Sequence, residues 1–129
     1  MAEALIGGLL AARACEPASI CATDPVVARR DALKSRFGIR VGDENAKAVR
    51  EADLVVLAVK PQAMPAVLSD AGQACAGKFI VSIAAGVTTA WIRERIGRSE
   101  ETLDVPPEVA TVADLVGWLT AKGPEYAAA

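Results

Sequence analysis

The feature that most constrains this chain is Leu54 to Val59, LVVLAV, an apolar run with no alternation. A half-exposed strand alternates apolar and polar residues, so an unbroken run belongs to a strand covered on both faces, as in a parallel sheet between helices. Lys78 to Ala84, KFIVSIA, is a second such run, released by Gly86. Between them, Lys60-Pro61 opens a helical stretch to about Cys75. Upstream, Ile20 to Thr23 reads as a short strand that follows a Pro17-containing turn and stops at Asp24-Pro25, because proline disfavours helical geometry in the residue before it. Val26 to Arg36 reads as a polar-faced helix closed by Phe37-Gly38, Ile39 to Val41 as a brief strand, and Asn45 to Glu51 as a short helix capped by Asp43 or Asn45. Strands alternating with helices at this spacing predict an α/β fold with a doubly wound, mostly parallel sheet, whose ligands lie beyond the carboxyl ends of the strands. The loops that matter are then 23–25, 43–45, 59–62 and 84–87.

Composition narrows the function. The 129 residues suit about one domain, and 53% hydrophobic content is enough to close a core. A net charge of -2 with no basic run lacks the footprint of a nucleic-acid binder. The absence of histidine removes the usual general base and the commonest metal ligand, and no cluster for metal or covalent catalysis stands out. Cys15, Cys21 and Cys75 match neither a zinc knuckle nor C-x-x-C and read as small buried hydrophobes of a reduced compartment. No apolar run reaches the roughly 18 residues that span a bilayer. The opening MAEALIGGLLAARA carries Glu3 and no basic flank, a poor signal peptide. A cytoplasmic protein with no membrane partner is expected. Residues 2–12 read as a helix with Gly7 and Gly8 as its weak spots.

The rhythm changes near residue 91. Trp91 to Arg98 is a charged stretch, Glu101 to Val105 alternates like a half-buried strand, and Pro106-Pro107 breaks it. Thr111-x-x-Asp114 has the form of a capping box opening a helix that carries Val112, Leu115, Val116 and Leu119 on one face and ends at Gly123-Pro124. Glu100-Glu101 reads as a solvated turn, and Trp91 and Trp118 as core or junction filling.

Four strings then point to a family. Met1-Ala-Glu-Ala-Leu5, Asp43-Glu-Asn-Ala46, Ala52 to Gln62 (ADLVVLAVKPQ) and Val81-Ser-Ile-Ala-Ala-Gly-Val87 fall in the order and at the intervals of the amino-terminal cofactor domain of pyrroline-5-carboxylate reductases, which residues 1–92 resemble. The resemblance implies a Rossmann-like domain for NADPH or NADH and a role in proline biosynthesis. Against the family's opening strand and G-x-G-N-M-A loop, this sequence begins at the M-A pair, so Met1 and Ala2 keep the helix end that faces the phosphates while the strand and glycines have no counterpart. The expected consequences are a gap in the middle of the sheet, weak or absent dinucleotide binding and negligible turnover. Glu101 to Val105 is the spare strand that would fill the gap or extend an edge, and an open edge also offers a route to a homodimer.

Residues 91–129, of which 93–129 would form a second segment after the cofactor domain, resemble the molybdopterin synthase small subunit, a β-grasp sulfur carrier, through Arg93 to Asp104, Val109 to Val116 and Gly123 to Tyr126. That resemblance implies a strand-helix appendage, a seam near Trp91-Ile92, and a chimera or interaction protein as the alternative to a reductase fragment. Carriers of that kind work through a terminal Gly-Gly, whereas the given sequence stops at Ala129, so sulfur transfer is not expected.

The resemblance to the reductases implies a cofactor site of Met1, Ala2, Asp24, Asn45, Ala58, Val59, Lys60, Pro61, Ala84, Ala85 and Gly86, with no catalytic side chain and no metal. Each has a plain structural alternative. Asp24 sits where an acidic group holds the ribose 2′-hydroxyl, and the nearby Arg29 and Arg30 suit a 2′-phosphate. Lys60 is a nucleotide contact or a solvated cap, and Asn45 touches nucleotide or caps its helix. Small residues at 58–59 and 84–86 let a ring and ribose approach closely, or are ordinary turn and core positions.

Overall fold

The computed structural model describes residues 1–97 and 104–122. It contains α1 (Ala2–Ala11), β1 (Cys21–Thr23), α2 (Val27–Phe37), β2 (Arg40–Gly42), α3 (Asn45–Glu51), β3 (Leu54–Leu57), α4 (Met64–Ala71), β4 (Phe79–Ser82), α5 (Thr89–Ile96) and α6 (Val112–Lys122). Short 3-10 turns occupy Pro17–Ser19, Pro61–Ala63 and Gly72–Cys75. The α/β alternation expected from the sequence is present. Among the described residues the four strands form two separate two-stranded parallel sheets, β1 with β2 and β3 with β4, so the sheet is incomplete.

The chain divides into two compact units. The first comprises residues 1–44 with 105–122. In it, Cys21 pairs with Arg40 and Thr23 with Gly42, and α2 crosses between the strands to make a βαβ unit. Gly38 closes α2 in the left-handed region at φ 67°, its N–H bonded to the Lys34 carbonyl at 2.9 Å. A residue with a Cβ pays strain there, which is why glycine follows Phe37. Ile6, Ile39 and Leu119 are buried, and α6 packs against α1. The capping box is realised: the Asp114 N–H donates to Thr111 Oγ1 at 3.1 Å, and the Thr111 N–H donates back to Asp114 Oδ2 at 2.9 Å. The Ala110 N–H and the Thr111 hydroxyl add bonds to the same oxygen. These donors hold the Asp114 carboxyl below its usual range, the Thr111 hydroxyl first among the causes.

The second unit comprises residues 45–97 with Asp104. Its parallel pair runs in register from Leu54 opposite Phe79 to Leu57 opposite Ser82. Val55 and Leu57 of β3 pack with Val49, Met64, Leu68, Ala71, Cys75, Ala84 and Ile92 in one buried cluster. Burying a Leu or Met side chain contributes roughly 1.5–3 kcal/mol, so α4, which places Met64 and Leu68 there, is the main fastener of this unit. Thr88 starts α5 by accepting the Trp91 N–H on its hydroxyl at 3.2 Å, and Gly97 ends it at φ 66°.

Several boundaries differ from expectation. β3 ends at Leu57 rather than Val59, because its partner β4 ends at Ser82 and, among the described residues, no strand continues opposite Ala58 and Val59. The stretch after Pro61 is not one helix but a 3-10 turn, α4 and a second 3-10 turn. The charged stretch from Trp91, to which the sequence reading gave no secondary structure, falls in helix α5, which begins at Thr89, where Thr88 supplies the cap. Of the strand expected at 101–105, residues 101–103 lie outside the described residues, and Asp104 and Val105 are irregular backbone. The helix end expected at Gly123-Pro124 and the turn at Glu100-Glu101 also lie outside them.

Candidate functional site

In the first unit, Asp24 lies directly beyond the carboxyl end of β1, and its N–H donates to the Gly42 carbonyl at 3.1 Å, extending the β1 and β2 pairing by one bond. Oδ1 accepts the Val26 N–H at 2.8 Å, the turn geometry that an Asp two residues ahead of a free amide favours. Oδ2 lies 3.7 Å from the exposed guanidinium of Arg29. Arg30, with 15% of its side chain exposed, donates to the Asp24 carbonyl at 2.6 Å and reaches Asp43 Oδ2 at 3.8 Å. It therefore ties the loop after β1 to the loop after β2. Val26 and Val27 are exposed beside this corner, 45% and 59%.

Met1 and Ala2 lie at the start of α1, where Met1 is exposed and makes no side-chain cap bond. An open cavity in the same unit is lined by Met1, Glu3, Ala4, Gly7, Arg36 and Phe37, with a Glu3 to Arg36 ion pair across it. Neither Ala2 nor Asp24 lines that cavity.

In the second unit, the parallel register sets the loop after β3 beside the loop after β4, since the Ile83 N–H donates to the Leu57 carbonyl at 3.2 Å. Ala58, Val59, Lys60 and Pro61 of one loop and Ala84, Ala85 and Gly86 of the other therefore share the carboxyl edge of one strand pair. Ala84 is buried, whereas Lys60, Pro61, Ala85 and Gly86 are exposed. Gly86 turns at φ 76°, and a Cβ placed on it meets nothing within 4 Å, so its backbone faces open space. Ser82, which the sequence reading passed over, braces the turn by accepting the Ala84 N–H on its hydroxyl at 3.3 Å. Asn45 is the first residue of α3. Chemically, this edge offers close backbone approach and a lysine, and the first unit's corner offers a carboxylate with one oxygen facing, among the described residues, an exposed arginine. Among the described residues no group of three or more His, Cys, Asp or Glu is placed to hold a metal. No described helix is long and apolar enough to cross a membrane.

Residues 1–86 match the family described as NADP oxidoreductase, coenzyme F420-dependent. The chain belongs to that family. A pyrroline-5-carboxylate reductase of Pseudomonas aeruginosa is 42% identical over 108 residues, 83% of this chain and 39% of that protein. One from Methanosarcina acetivorans is 35% identical over 111 residues, 85% of this chain and 41% of that protein. A solved pyrroline-5-carboxylate reductase of Coxiella burnetii superposes with a TM-score of 0.70 at 30% identity, over 75% of this chain and 36% of that one. The chain thus spans about two fifths of the curated relatives it matches. A match over 83% of 129 residues necessarily runs past residue 92, so likeness to the reductases continues beyond the seam expected at Trp91-Ile92.

Proposed function

We propose that this chain carries nucleotide-binding residues of a reductase related to the pyrroline-5-carboxylate reductases, using NADH or NADPH. The observation that carries this reading is the gathering of Ala58 to Pro61 and Ala84 to Gly86 at the carboxyl edge of one parallel strand pair, the place where open α/β sheets take ligands. The residues fit the group. In the second unit Gly86 and the alanines admit a flat ring or a sugar at backbone distance; in the first, taken by itself, Asp24 Oδ2 is able to accept from a ribose hydroxyl. The cofactor, when bound, supplies a hydride for a C=N bond; the residues of this chain bind and orient it. Lys60 contacts nucleotide from its exposed loop, Asn45 in the same unit and the Met1-Ala2 helix start in the other are further contacts, each taken within its own unit, and none of these acts as a catalytic acid or base.

Binding to the folded state must raise apparent stability by linkage, by about 2.7 kcal/mol when ligand is present at a hundred times its Kd. Thermal unfolding of the 129-residue protein with increasing NADH or NADPH is expected to move the midpoint upward at high ligand concentration. No shift at millimolar dinucleotide counts against the proposal.

A further inference from the structure

Resting on that nucleotide-binding reading, we propose that the corner built by Asp24, Arg29, Arg30 and Asp43 selects an unphosphorylated ribose, so that this chain prefers NADH to NADPH although its family is described by NADP. The preference follows from how the charges are already used. A 2′-phosphate needs guanidinium groups with unmet donors, since it brings about two negative charges and strong acceptor oxygens. Here Arg30 is largely buried and committed, one nitrogen to the Asp24 carbonyl at 2.6 Å and another toward Asp43 at 3.8 Å. Arg29 is 73% exposed, and its guanidinium stands 3.7 Å from Asp24 Oδ2. Two guanidinium groups thus face two carboxylates. A phosphate entering this corner meets the Asp24 charge directly, and drawing Arg29 toward it strips Asp24 of its counter-ion. A ribose hydroxyl meets the opposite situation, because Asp24 Oδ2 accepts its proton without displacing any bond that Oδ1 or the backbone makes. Arg30 acts as a positioning residue by holding the Asp24 loop against the Asp43 loop, and Asp24 is the discriminating one.

The test is calorimetric titration of the 129-residue protein with NADH and with NADPH at low ionic strength, alongside Asp24→Asn. Asparagine keeps an oxygen for the Val26 N–H and removes the charge, and circular dichroism checks that the variant is folded. The wild-type protein is expected to bind NADH at least tenfold more tightly, and Asp24→Asn to shrink that ratio at least tenfold by gaining NADPH affinity. Equal affinities, or tighter NADPH binding, in the wild-type protein overturn the preference whatever the variant does. An unchanged ratio in folded Asp24→Asn overturns the role of Asp24. If neither dinucleotide binds, it is the nucleotide-binding reading that fails.

Discussion

At the residue scale, Arg29 and Arg30 show what a sequence hides. Both were legible as basic neighbours of Asp24, but successive helix residues diverge by about 100°, and only the packed helix decides which one turns toward the strand ends. Arg30 does so and Arg29 stays in solvent. Losing a half-buried, charge-assisted bond costs about 1.5 kcal/mol or more, whereas an exposed ion pair contributes well under 1 kcal/mol. Urea denaturation is therefore expected to find Arg30→Ala destabilised by about 1.5 kcal/mol or more and Arg29→Ala nearly unchanged; equal effects would contradict the strut. Gly86 is similar in kind. Its position after an apolar run marked a turn, but the positive φ that fixes glycine there is a property of the folded loop. Gly86→Ala meets no clash, only backbone strain, with an expected cost of about 1 kcal/mol.

At the element scale, legibility followed period and caps. The unalternating run at 54–59 and the Thr111 to Asp114 box marked the start of β3 and the start of α6, because both depend on local pattern. Strand length was less legible, since a strand ends where its partner does. The Asp114 carboxyl has a pKa lowered on folding, so the stability it adds is present above the ordinary aspartate range near pH 4 and is lost as pH falls through the lowered value. Helicity of α6, followed by amide exchange, is expected to weaken on acidification below about pH 4, and Asp114→Asn to flatten that response. In the other unit, α4 inserts Met64, 0% exposed, and Leu68, 4% exposed, into the cluster beneath β3. Leu68→Ala is expected to cost about 2–5 kcal/mol in denaturant unfolding, and a loss below about 1 kcal/mol would mean that α4 is not what fastens this unit.

At the scale of the whole molecule, family membership was legible because AVKPQ and SIAAGV couple the end of an apolar strand run to the loop that follows it, so fold and candidate site are written in the same residues. The carboxyl-terminal segment was harder to place. Its most distinctive feature, the capping box, serves any helix that needs its first amides satisfied, and so says little about ancestry. The reductases matched here run to more than twice the aligned length. This chain aligns with about two fifths of each, and the 129-residue polypeptide assayed alone is expected to form no proline from pyrroline-5-carboxylate above a protein-free control.

The most direct test of the central claim, that the carboxyl ends of these strands bind a nicotinamide dinucleotide, is an amide chemical-shift titration of the isotopically labelled protein with NADH. The account predicts saturable shifts at Ala58 to Lys60 and at Ala84 to Gly86 in the second unit and, judged separately, at Asp24 in the first. Saturable shifts confined to other residues, or none at millimolar ligand, would contradict it.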